Sequence, residues 1–173
     1  MDDSTRDPGV GSGSSGVPRL PLYLSVFLSG AVVMVYELVG SRVVAPALGS
    51  GLTVWTSLIG VILGALSLGY CLGGHLADRR PASETLAAVL TSSGLLILVT
   101  ALVRDPVLGL PVSRDHLELH SILVVAVLFA PASLALGCVL PLATRLALTS
   151  PGQAGRDLGG VYAVSTAGSI LGT

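Results

Sequence analysis

The chain has 173 residues, of which 51% are apolar and 11% charged, with 22 glycines and a mean hydropathy of +0.84; that balance excludes an ordinary water-soluble domain. A formal net charge of −1 and nine scattered basic residues, every one an arginine, exclude a basic nucleic-acid surface. Two cysteines make no disulfide framework, and 4% aromatic residues beside so much glycine suit helices packed through small side chains.

Residues 1–19 (MDDSTRDPGVGSGSSGVPR) hold almost nothing to bury and cannot offset the entropy of ordering, so a disordered cytoplasmic tail is expected. Gly11-x-Gly13-x-x-Gly16 inside it has the spacing of a dinucleotide-binding turn. That turn works only between a strand and a helix N-terminus, and here Asp7-Pro8 precedes it and Val17-Pro18 follows, so it reads as linker.

Residues 20–173 form the membrane part. About 20 apolar residues span a hydrocarbon core of about 30 Å, and five apolar segments follow one another near 21–44, 53–77, 85–103, 120–147 and 158–173. The expected fold is an all-α, polytopic transmembrane helical bundle of about five spans. Pro131 and Pro141 predict a kink in the fourth. The fifth is short and reaches Thr173 with no flanking polar residues, as a helix cut before its end would. Counting arginines places Arg6, Arg19, Arg79, Arg80, Arg145 and Arg156 on one side against Arg104 and Arg114 on the other, with Arg42 near that second boundary. The positive-inside rule then predicts a multi-pass protein of the cell (inner) membrane with a cytoplasmic N-terminus and Trp55 at the outer interface. Ala45-Pro46-Ala47 resembles a signal-peptide cleavage site, but Glu37 and Arg42 lie where an apolar region should run on, which favours an uncleaved span.

Glu37 shares an i+4 row with Ser25, Ser29, Val33 and Ser41, the more polar side of the first span, and is expected to face the bundle. An ionised carboxylate there costs roughly 2.5–3.5 kcal/mol on insertion scales, so it needs a partner, a proton or water. Arg42 comes five positions later, about 140° further round the helix, and makes a poor local pair. Glu37 and Arg42 therefore stand as the candidate intramembrane functional charges, with two readings open: a structural clamp, or a proton, cation or substrate site.

On the second span Ser57, Gly60, Gly64, Ser67, Cys71, Gly74 and Asp78 recur at alternating spacings of three and four, and the stripe predicts a helix-packing seam that Gly64→Leu would force apart. Asp78 and Arg79 are expected to form a cytoplasmic latch with Arg145 or Arg156. His116-x-x-x-His120 has a spacing that can place two imidazoles on one helix face, but two ligands without a third do not make a metal site, and none is expected. Cys71 and Cys138 read as small apolar side chains. No nucleophile elbow or phosphate-binding loop is present, so no catalytic residue and no cofactor is assigned.

Three segments together, 37–55 (ELVGSRVVAPALGSGLTVW), 69–80 (GYCLGGHLADRR) and 155–173 (GRDLGGVYAVSTAGSILGT), with PLATR at 141–145, resemble the transmembrane part of bacterial spermidine-synthase-like proteins. In that family a helical bundle precedes a cytoplasmic aminopropyltransferase domain. The resemblance covers roughly residues 22–173, whereas the adenosyl-binding sheet and catalytic aspartate of the enzyme have no counterpart in them. It therefore implies an integral membrane domain that anchors or partners such a catalytic domain. Residues 73–80 (GGHLADRR) also resemble the loop between the second and third helices of major facilitator transporters, which implies the alternative of a partial transporter for a small polar or cationic solute. An inactive scaffold or gene fragment is the third reading. The expected partners are the lipid bilayer, and a catalytic domain or further helices.

Overall fold

The computed structural model describes residues 19–80, 82–109, 117–148 and 151–173. They fold into six α-helices: α1 Arg19–Leu48, α2 Leu52–Arg79, α3 Ser83–Leu108, α4 Leu117–Gly137, α5 Val139–Ala147 and, after a short 3-10 turn at Pro151–Gln153, α6 Ala154–Leu171. No strand occurs among the described residues. Gly49 ends α1, taking φ of 88° while its N–H bonds the Ala45 carbonyl, a left-handed conformation that side chains with a Cβ resist. Arg19, expected in the tail, opens α1; residues 1–18 and His116 lie outside the described residues.

Four stretches, Arg19–Leu48, Leu52–Arg79, Ser83–Leu108 and Leu119–Ala147, are long and apolar enough to cross a membrane. At 1.5 Å per residue each exceeds the roughly 30 Å hydrocarbon core, and the chain is a multi-pass helical membrane protein. The expected fifth span is a helix, but it is not one of these four. Its first turn carries Arg156 and Asp157, and Ser165, Thr166 and Ser169 dilute the apolar residues beyond.

Two apolar clusters fix the course of the chain. One holds Leu22 and Val26 from the start of α1, Ala77 from the end of α2, Leu86 from the start of α3, Val139, Leu142 and Ala143 from α5, and Val161 from α6. The other holds Tyr36, Val44 and Leu48 from α1, Val54, Leu58 and Ile62 from α2, and Val124, Val125, Leu128 and Phe129 from α4, with Val103 and Val107 of α3 against it. Successive helices therefore run up and down, α4 and α5 share one descent, and α6 ascends beside α1. Of the four stretches the α4–α5 one is the most buried and α3 the least, with only Leu86 and Ser93 of α3 inside. A helix apolar all round belongs in the middle of a bundle, and α4 is one. Most of α3 is left facing lipid.

The break between α4 and α5 falls at Cys138, between the two prolines rather than at either. Pro131 sits within α4 without ending it. Pro141 has no N–H to offer the carbonyl four residues back, at Gly137, and that is where the helix is interrupted. The Cys138 N–H is shared between the carbonyls of Leu134 and Ala135, at 3.3 and 3.1 Å.

Close packing at α2 runs through a different stripe from the expected one. Val54, Leu58, Ile62, Leu66, Gly69, Gly73 and Ala77 are buried. A Cβ on Gly69 would strike the Leu134 carbonyl, one on Gly73 would lie 2.6 Å from Cys138 Cα, and one on Gly137 would lie 2.6 Å from the Leu66 carbonyl. Lipid solvates apolar side chains as well as another helix does, so backbone proximity of this kind is what holds α2 to α4 and α5. Gly60, Gly64 and Gly74 have nothing within 4 Å of an added Cβ, and Ser67, Cys71 and Asp78 are exposed. At about 100° per residue the two stripes lie on nearly opposite sides of the helix. The seam predicted through Ser57, Gly60, Gly64, Ser67, Cys71 and Gly74 is therefore an outward face. A second close approach joins α1 to α6: a Cβ on Gly30 would meet the Ser165 carbonyl, and those on Gly168 and Gly172 the carbonyls of Phe27 and Ala31. Ser169 Oγ donates to the Gly30 carbonyl at 3.2 Å.

Candidate functional site

Glu37 and Arg42 sit on different sides of α1 and do not pair. Glu37 is half-buried and has no hydrogen bond or ion pair among the described residues. The hydroxyls of its row are spoken for by their own helix, since Ser25, Ser29 and Ser41 donate to the carbonyls of Pro21, Val26 and Leu38.

Next to Glu37 is a polar junction that sequence reasoning missed. Tyr36 Oη is 3.0 Å from Thr100 Oγ1 and donates to the Leu128 carbonyl at 3.2 Å, and Thr100 Oγ1 reaches the same carbonyl at 2.8 Å. The Tyr36 ring packs at a tilt on Phe129, centroids 5.1 Å apart, and Phe129 in turn fills the space over Gly40. One buried hydroxyl thus ties α1, α3 and α4 together. Tyr36 stood in the sequence as a polar aromatic inside a span, which needs a hydrogen-bond partner when buried; the partner, 64 positions away, did not.

Arg42 is exposed and opens onto a cleft of about 540 Å³ between the ends of α1 and α3. Val39, Val43, Pro46 and Ala47 of α1 and Leu108 of α3 form its apolar walls, and Arg104 and Asp105 stand at its rim. Arg104 Nε lies 3.1 Å from Asp105 Oδ1, the one ion pair among the described residues.

At the other end of the bundle Arg19, Arg79, Arg80, Arg145 and Arg156 are all exposed, as is Asp78. The expected latch is not closed: neither Asp78 nor Arg79 pairs with another charged group among the described residues. Ala77 faces the interior of the bundle, so Asp78, about 100° further round, faces away from α5. A surface ion pair contributes only about 0–1 kcal/mol, too little to draw these side chains together against the packing. Asp157, which the sequence reading did not single out, is 7% exposed in the first turn of α6, where the helix dipole favours a carboxylate.

Cys71 is exposed and Cys138 buried, both as free thiols. No group of three metal-ligating side chains occurs among the described residues. Comparisons with protein-family models, with curated proteins and with solved structures return no match for this chain.

Proposed function

We propose that this chain is the membrane domain of a larger assembly, in which it anchors or partners a spermidine-synthase-like aminopropyltransferase domain at the end of the bundle where α1 begins. The observation that carries the reading is the distribution of arginine. Arg19, Arg79, Arg80, Arg145 and Arg156 crowd one end as exposed, uncommitted cations, while Arg42 and Arg104 mark the other. Such an excess favours a cytoplasmic placement of the crowded end. It also presents a polar face, with Asp78 among the arginines, suited to an acidic surface of a soluble domain. The resemblance of residues 37–55, 69–80 and 155–173 to the family names the kind of domain.

The test is co-purification of the full chain with a spermidine-synthase-like catalytic domain from inner-membrane extracts. Retention is expected for the parent protein and loss for a variant in which Arg79, Arg80, Arg145 and Arg156 are changed to Glu. A parent chain that never retains the domain overturns the proposal. The transporter reading rests on one feature, the half-buried and unpartnered Glu37. It predicts uptake of a small cation or polar solute into proteoliposomes that Glu37→Gln abolishes; no difference between parent and variant removes it.

A further inference from the structure

We infer that the cleft between α1 and α3 is a binding site for the headgroup of an anionic phospholipid. Arg42 and Arg104 approach the same opening from two helices, and among the described residues the only carboxylate lining it, Asp105, is 81% exposed and bonded to Arg104 Nε alone. That geometry leaves the terminal nitrogens of Arg104 and the whole Arg42 guanidinium as donors. Two cations facing one opening repel each other unless an anion lies between them, and guanidinium forks match phosphate oxygens.

Depth makes a lipid the fitting source of that phosphate. Arg42 lies six residues beyond Tyr36, and Arg104 four beyond Thr100. The cleft therefore sits about 6–9 Å above the Tyr36–Thr100 hydrogen bond, toward the helix ends. Trp55, 40% exposed in the first turn of α2 at this same end of the bundle, has the place of an interfacial anchor. Guanidinium groups near the headgroup level, beside a wall of Val39, Val43 and Leu108, offer a phospholipid both of its contacts, donors for the phosphate and an apolar surface for the chain. A soluble phosphate would use the guanidinium groups and gain nothing from the apolar wall beside them.

The experiment is native mass spectrometry of the full chain released from detergent with phosphatidylglycerol, with phosphatidylcholine of the same acyl chains, or with inorganic phosphate. Phosphatidylglycerol is expected to be retained selectively. Arg42→Gln with Arg104→Gln should weaken that retention about 25-fold, at roughly fivefold per arginine, and Asp105→Asn should strengthen it by about fivefold. Both positions are exposed, and unchanged helical circular dichroism would show that the variant keeps its fold. Equal retention of the two lipids, a double variant that binds phosphatidylglycerol as the parent does, or full displacement of the lipid by millimolar inorganic phosphate would each overturn the assignment.

Discussion

Helix α2 carries two stripes of small residues on nearly opposite sides, and the bundle uses one of them. On the used side Gly69 and Gly73 lie so close to α4 and α5 that an added methyl group would run into backbone. On the other, Gly60, Gly64 and Gly74 look out on empty space. Shallow grooves flank this outer stripe, one past Ser57 and Ile122 and one past Gly64 and Pro131. The difference teaches that small residues permit close approach without causing it. What selects the face is a partner with a matching hollow, here Gly137 against Leu66 and Gly69.

Substitutions of equal size on the two stripes break or sharpen this contrast. Gly69→Leu should have the largest effect, because the Leu134 carbonyl cannot move aside as a flexible side chain would. Overpacking typically costs 1–3 kcal/mol, and a backbone obstacle places this change near about 3 kcal/mol, read as a lowered midpoint of thermal unfolding in detergent. Gly168→Val should loosen α6 from α1 by about 2 kcal/mol, seen as earlier proteolysis of the C-terminal helix. Tyr36→Phe keeps the ring on Phe129 and removes its hydroxyl from Thr100 and Leu128, a loss of about 1 kcal/mol by the same unfolding measurement. Gly64→Leu should change stability by no more than about 0.5 kcal/mol, since nothing stands where its side chain would go. A Gly64→Leu protein as unstable as Gly69→Leu would show that the outer stripe is packed in the working assembly.

The ends of the bundle offer a second contrast, of charge rather than shape. Both hold arginines, but at one end they project separately from exposed helix termini that also carry Asp78, Glu84 and Asp157, whereas at the other Arg42 and Arg104 share a cleft with apolar walls. A surface of separate cations suits a broad protein partner; a cleft suits one headgroup.

How much of this was legible in advance follows from the range of each interaction. Four of the expected spans match helices to within a few residues, because hydropathy over 20 positions is a local property. The assignment of the described arginines to two ends follows once helices alternate in direction. The interruption at Cys138 was half legible: Pro141 marks the missing N–H, and the break appears at the carbonyl that lost it. The latch of Asp78 with Arg145 or Arg156 was not, because facing at a helix end changes by about 100° with every residue. Glu37 and Arg42 were visible as costly residues in a span, but the company of Arg104 cannot be read from the neighbourhood of Arg42.

The sequence by itself determined that four stretches form helices apolar enough to span a membrane, their bounds to within a few residues, and how the described arginines divide between the two ends. Each of these depends on composition within a stretch of about a helix length. Only the tertiary structure decided which face of α2 is inside, that Tyr36 meets Thr100, and that Arg42 and Arg104 line one cleft. Those outcomes depend on how complementary surfaces from helices far apart in the chain fit together, and lipid, which solvates every apolar face alike, gives no preference of its own.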